Sequence, residues 1–208
     1  MKTSVVALCP VTVGINLAIG RAELRGLGLV PGSQTMLPPD QMESIRLALL
    51  ETRGSLPIPR GGGELRGILA TPGANSLVSS SRINSGAIEN SDLTVLDGSI
   101  LSCGPESEAA ASHFVRLATE AGVPLVITLE STEIVESYRS FFESFAPRAQ
   151  FIAGNLKQAA VLLRLDTSAS LGKVKSELRK TSINAIITLD REGAFGTKSA
   201  CRGKSRFP

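Results

Sequence analysis

The stretch FIAGNLKQAAVLL (151–163) sets an asparagine where an apolar run meets a helix-like pattern. Asn155 can do one of two things there. Its side-chain oxygen can take an orphan N–H of the first helical turn, which is the ordinary work of a capping residue. Alternatively it can sit at the mouth of a cleft, because open α/β sheets hold their ligands at the carboxyl ends of their strands. Residue type alone favours the cap. Asp97 and Glu130 pose the same choice, since each ends an apolar, β-branched-rich run. Two carboxylates at strand ends can face one cleft as acid and base, or can simply cap the next turn of the chain. RGGGELRG (60–67) contains consecutive glycines, Gly61 and Gly62 among them, whose backbone N–H groups can converge on an anion. Its spacing fits neither GxxxxGK[ST] nor GxGxxG after a strand, so by itself it reads as a flexible loop. In AIITLDREGAFG (185–196), Thr188 ends a buried-looking strand. Gly193 then permits either a backbone approach to a ligand or a plain hairpin turn.

Composition narrows the chemistry further. The three cysteines (Cys9, Cys103, Cys201) are far apart and His113 is the single histidine, which excludes an ordinary Cys/His zinc site and any mechanism needing two histidines. His113 falls within ASHFVRLATEAG and reads as a half-exposed helix residue. An odd cysteine count suits a reducing compartment. A net charge of +3 arises partly in the terminal KSACRGKSRFP, so the body is close to neutral. With no Trp and one Tyr, a nucleic-acid footprint is not supported. No apolar stretch approaches the roughly 18 residues that span a bilayer, and MKTSVVALCP is a poor signal peptide. The expectation is a cytoplasmic protein with no membrane partner.

The elements that must position these residues show a regular beat in the second half. LTVLDG (93–98), PLVITL (124–129), QFIAG (150–154) and NAIITL (184–189) are strand-like, with helical patterns between them. PESEAAASHFVRLATEAG has Pro105 and acids at its start and Gly122 at its end. STEIVESYRSFFESFAP is capped by Ser131 or Thr132 and closes before Pro147. NLKQAAVLLRL and SLGKVKSELRK fill the last interval. Strand and helix alternating in this way predict βαβ units and a mostly parallel sheet. In the first half, PPDQMESIRLALLETRG predicts an amphipathic helix with Met42, Ile45 and Leu49 inward. RGILATPGANSLVSSSRI reads as two short strands joined by a hairpin at Pro72-Gly73. A chain of 208 residues suits a single domain.

In this order the pieces resemble the PfkB (ribokinase-like) family of ATP-dependent sugar and nucleoside kinases, nearest its adenosine-kinase-like branch. AELRGLGLVPGSQTMLPPDQM is similar to a lid segment and GILATPGANSLVSSS to a second lid strand pair. AIENSDLTVLDGSIL is similar to the entry into the central sheet, FIAGNLKQAAVLL to the strand before Asn-x-x-Glu, and IITLDREGA to the strand before the nucleotide turn T-x-G-x-x-G. The resemblance implies a three-layer α/β/α fold with a small β lid, formed by segments at roughly 12–38 and 64–83. The core would lie at roughly 84–195, followed by a basic tail (196–208) unlike the family's. It implies ATP and Mg²⁺ as cosubstrate and cofactor, a nucleoside or sugar as partner, and a homodimer through the lid edge. Gly61 and Gly62 would match the family's substrate loop, and Asn155, Thr188 and Gly193 its nucleotide and Mg²⁺ region.

Several family parts are replaced. Gly14 stands where an acidic residue grips substrate hydroxyls, and Cys9-Pro10 where Gly-Asn is usual. The Glu of Asn-x-x-Glu is Gln158, which cannot supply negative charge to Mg²⁺. Asp190 takes the place of the first glycine of the nucleotide turn. The D-T-x-G-A-G-D stretch that carries the family's base and anion hole does not occur in these residues, so no catalytic residue is assigned. The expectation is a kinase by descent, inactive or impaired as this chain. The alternatives are a non-catalytic binding or scaffold protein, or a truncated product without function.

Overall fold

A computed structural model of the chain describes residues 4–10, 34–38, 40–45, 47, 68–70 and 73–197. Among the described residues, eight strands form two sheets. Six of them, β1 (Val5–Leu8), β4 (Leu93–Leu96), β5 (Leu125–Thr128), β6 (Phe151–Asn155), β7 (Ala185–Thr188) and β8 (Ala194–Thr197), pair in the order β1-β4-β5-β6-β7-β8. Every neighbouring pair is parallel except β7 with β8, which is antiparallel. The parallel sheet expected from strand spacing is therefore present. The small second sheet is a parallel pair of β2 (Gln34–Met36) and β3 (Ile68–Ala70).

The crossovers are helical because each interval carries its own start and stop signals. α1 (Ser85–Glu89) is capped by Asn84, whose side chain accepts from the Ala87 N–H. α2 (Pro105–Glu120) opens with Pro105 in its first turn, beside Glu106 and Glu108, where a missing N–H costs nothing and acids meet the positive end of the helix. It is left through Gly122 at a φ of +68°. Ser131 caps α3 (Thr132–Ser137), and Tyr138 separates that helix from α4 (Arg139–Phe145), so the single helix expected from STEIVESYRSFFESFAP is two. α5 (Leu156–Leu162) and α6 (Leu171–Arg179) follow, with Ser170 capping the latter, and residues 40–45 and 47 in the first half are helical as well.

Alternation along the strands creates the core. Leu96, Ile127, Ile152 and Ile187 point to one face of the sheet and are fully buried, as period-2 strands require. Against them pack Phe114, Val115 and Ala118 of α2, Ile134 and Val135 of α3, Phe142 of α4, Ala159 and Ala160 of α5, and Val174 and Leu178 of α6. The other face, with Val95, Val126, Phe151 and Ile186, is half-buried to exposed.

One sequence expectation is corrected here. Of the two strands and hairpin foreseen around Pro72-Gly73 only the first strand forms, as β3, and it pairs in parallel with β2, while Gly73–Leu77 and Ser80–Arg82 are 3-10 turns. The run ANSLVSSSR is rich in Ser and Asn, which bond their own neighbourhood instead of a ladder, as Ser79 and Ser81 do through their hydroxyls at 3.0 Å. Gly14, Gly61, Gly62, Leu49 and the tail beyond Thr197 lie outside the described residues.

Candidate functional site

Because β1 and β4–β7 are parallel, their carboxyl ends lie along one edge, the place where an open α/β sheet holds a ligand. Cys9, Asp97, Glu130, Asn155 and Thr188 follow or end β1, β4, β5, β6 and β7 in turn. The sequence-derived candidates on the described strands are thus brought to one rim.

Asp97 is a cap. Its Oδ1 accepts from the Ser99 N–H at 2.9 Å and the Ser99 hydroxyl at 2.5 Å, opening the 3-10 turn Gly98–Cys103. The next residue, Gly98, donates its N–H to the Thr128 hydroxyl oxygen at 3.2 Å, and that hydroxyl donates to Glu130 Oε1 at 3.2 Å. A Cβ on Gly98 would collide with the Thr128 carbonyl oxygen. The glycine is what lets the β4 end lie against β5.

Glu130 stands in an unusual backbone state. Its φ is +59°, and the Ser131 N–H reaches the Leu129 carbonyl at 2.8 Å around it. This three-residue turn with positive φ is rare for a residue that carries a side chain. The residue reaches solvent, but loss of hydration at the strand ends pushes its carboxyl pKa up, and the nearby Asp97 charge adds to that. The Thr128 hydrogen bond acts in the opposite direction. The Asp97 charge is thus felt at Glu130.

Asn155 resolves in favour of the cap. Its backbone is extended (φ −99°, ψ 175°), and its Oδ1 accepts from the Gln158 N–H at 3.0 Å. Gln158 Oε1 accepts from the Asn155 N–H at 2.8 Å, which closes a capping box. The remaining side-chain group of Gln158, its Nε2, donates to the main-chain carbonyl of Glu130. Gln158 is 7% exposed and every polar atom of its side chain is in use. Gly154 makes room for it, since a Cβ there would come within 2.8 Å of Gln158 Oε1 and 2.9 Å of Leu129 Cδ1. Sequence reasoning named Asn155 and Gln158 but missed Gly98, Thr128 and Gly154, whose signal lies only in the close approach of neighbouring chain segments.

Thr188 donates its hydroxyl to the Gly154 carbonyl at 3.3 Å. Asp190 has φ +50° and Gly193 φ +91°, and the Leu189 N–H bonds the Gly193 carbonyl at 2.7 Å, so Gly193 turns the β7–β8 hairpin. His113 is half-buried on α2, as expected. Among the described residues no group of three His, Cys, Asp or Glu side chains is placed to hold a metal ion, and no helix is long and apolar enough to cross a membrane. The cofactor implied by the resemblance is Mg²⁺, a hard cation that takes oxygen ligands, with carboxylates supplying its charge. The neutral groups on this rim (Thr128, Asn155, Gln158 and Thr188) already serve hydrogen bonds within the chain. Those neutral groups are not free to take the ion, and the carboxylates that the rim offers it are Asp97 and Glu130.

No family profile and no curated protein matches the sequence. Solved structures do match by shape. Adenosine kinase from Sinorhizobium meliloti superposes with a TM-score of 0.72 at 16% identity, over 99% of this chain and 80% of that one. Adenosine kinase from Schistosoma mansoni, in complex with adenosine and AMP, gives 0.72 at 10% identity over 96% and 81%. A putative ribokinase II from E. coli, in complex with ATP and Mg²⁺, gives 0.56 at 12% identity over 98% and 80%. Identities this low speak to architecture alone, and with the strand order and helical crossovers described above they support one conclusion: this chain carries the ribokinase-like α/β fold of adenosine kinases and PfkB sugar kinases.

Proposed function

We propose that this chain is a nucleoside- or sugar-binding member of that kinase lineage, with phosphoryl transfer lost or severely impaired in the 208-residue polypeptide. The observation that carries the reading is the end-to-end likeness to adenosine kinases, which spans 99% of the chain in the Sinorhizobium case. Two structures of similar fold hold adenosine with AMP, or ATP with Mg²⁺, which makes a small hydroxyl-bearing molecule the partner to test first. The loss of transfer is supported by the rim itself. Catalysis of phosphoryl transfer is mostly positioning and electrostatic stabilisation of charge on the moving group. Here the residue matching the family's metal-associated Glu is a neutral Gln with both side-chain atoms engaged. Gly61 and Gly62 are the proposed substrate loop, and Asn155, Thr188 and Gly193 the remnant of the nucleotide turn. A soluble chain in a reducing compartment, dimerising through the edge of the β2–β3 sheet, completes the proposal.

The test is isothermal calorimetry of the purified chain with adenosine and with ribose, alongside a coupled assay for ADP release. Saturable binding of either compound with no turnover above background is the expected result. Turnover at ordinary kinase rates would overturn the impairment, and no binding of either compound would overturn the ligand.

A further inference from the structure

We infer that the open edge of β1 is a self-association surface, on which a second copy of this chain lays its own β1 antiparallel about a two-fold axis and joins the two six-stranded sheets. The inference goes beyond the proposed ligand and does not depend on it.

The order of the sheet leaves β1 at one end, with β4 as its neighbour and no described strand on its other side. In that parallel pair the carbonyls of Ser4 and Leu8 accept from the N–H groups of Asp92 and Asp97, at 3.0 and 2.9 Å. Alternation along a strand turns Val6 to β4 with them. The N–H and C=O groups of Val5 and Ala7 therefore face away from the sheet, a row of donors and acceptors with no partner among the described residues. Burial follows the pleat: Val6 and Leu8 pack against the core, whereas Val5 is 54% exposed and Ala7 is exposed as well. Natural sheet edges are blunted by charge, proline, a bulge or shortness. VVAL has no charge, no proline and an unbroken register with β4, so only its length of four residues restrains it.

The chemistry of this edge selects a second copy. With Val6 on the axis, Val5 of one copy stands opposite Ala7 of the other, and outward-facing residues so placed exchange both main-chain bonds. Every outward group of Val5 and Ala7 is then used. A two-fold contact sets a surface against itself, so any charge on it would meet its own sign, and β1 carries none. Pairing of β1 with itself also closes at two, whereas addition to the β8 edge of another molecule would run on as an open array. So short an edge covers less than the roughly 800 Å² per partner of a standard interface, which makes the contact a concentration-dependent dimer. It is separate from the β2–β3 edge named above.

The experiment uses the native 208-residue chain, labelled with ¹⁵N. Sedimentation velocity gives the association state from dilute to concentrated samples, and amide hydrogen exchange is read on the same samples. The expected result is a monomer–dimer equilibrium in which the Val5 and Ala7 amides exchange about tenfold or more slowly when concentrated, while Val6 and Leu8 stay protected throughout. Val5→Lys should abolish the dimer and that protection with no loss of thermal midpoint, because the side chain is exposed. Ile186→Lys puts a charge on the same sheet face, at a residue 42% exposed but away from the edge, and should leave the dimer intact. A monomer at every concentration, or species larger than a dimer, would overturn the inference. So would a dimer whose Val5 and Ala7 amides exchange freely, protection already complete in the dilute monomer, or a dimer lost in Ile186→Lys and kept in Val5→Lys.

Discussion

The side-chain amide of Gln158, in the first turn of α5, donates to the main-chain carbonyl of Glu130 across the gap between two strand ends. The acceptor belongs to a residue with a φ of +59°, so the amide adds a second tie to a turn already closed by the Ser131 N–H on the Leu129 carbonyl. Replacing Gln158 by Glu removes the donor and sets a carboxylate against a carbonyl oxygen. The expected cost at neutral pH is about 1–3 kcal/mol, the usual penalty for a broken buried hydrogen bond. Protonation of the new Glu restores an O–H donor, so its folded-state pKa is raised. The stability is then present at low pH and lost as pH rises through that pKa. Urea melts of Gln158→Glu and of Gln158→Ala across the acid-to-neutral range check this: the Glu variant should recover on acidification and the Ala variant should not.

Gly98 predicts a steep effect from one methyl group. A Cβ there would overlap the Thr128 carbonyl oxygen, a main-chain atom held in β5 and unable to rotate away. Gly98→Ala should cost about 3 kcal/mol or more, beyond the ordinary range for overpacking because the obstacle is backbone. Gly154→Ala meets Gln158 and Leu129 side chains, which can shift in part, and should cost less, about 1–3 kcal/mol. Equilibrium denaturation of the two variants should rank them in that order, and an equal loss would contradict the close approach seen at Gly98.

Glu130 and Asp97 give the fold a pH dependence. Desolvation first, and the Asp97 charge second, raise the Glu130 pKa above the ordinary value for a glutamate. A carboxyl whose pKa is raised by folding is more comfortable protonated in the native state. Its contribution to stability is full at low pH and falls away as pH rises through the folded-state value. Glu130→Gln removes that titration while keeping a side chain that can accept from Thr128. Stability of the variant relative to the parent should therefore improve with rising pH through the weakly acidic range. A difference between the two that stays constant with pH would show that the carboxyl does not titrate in that window.

The second half of the fold was legible because strand and helix announce themselves there by period. LTVL, LVIT, FIAGN and AIIT all became strands within a residue or two of where β-branched runs fell. Pro105, Ser131 and Asn155 marked helix starts by chemistry that acts within four residues. The false hairpin at Pro72-Gly73 shows the opposite case. A Pro-Gly pair marks a bend, but the partner of β3 turned out to be β2, more than thirty residues away in the chain, and no local signal encodes such a pairing. The site was half legible for the same reason. Asn155 and Gln158 could be paired from their spacing alone, whereas the use of the Gln158 amide on Glu130 depends on how β5 and β6 register, Ile127 opposite Ile152.

Asp190 supplies a last test of how far the β7–β8 turn has drifted from a glycine-based one. It stands at φ +50°, in the left-handed region that an L side chain enters at a cost, although Asp tolerates it better than most. A glycine would enter freely, offset in part by the extra freedom it gains in the unfolded chain. Asp190→Gly should therefore be neutral to stabilising, by up to about 1 kcal/mol. Asp190→Val, β-branched and ill-suited to that region, should destabilise by about 1–2 kcal/mol. Denaturation midpoints of the pair read this directly, and a stability loss for the glycine variant would mean that the Asp190 side chain makes a contact worth more than its backbone strain.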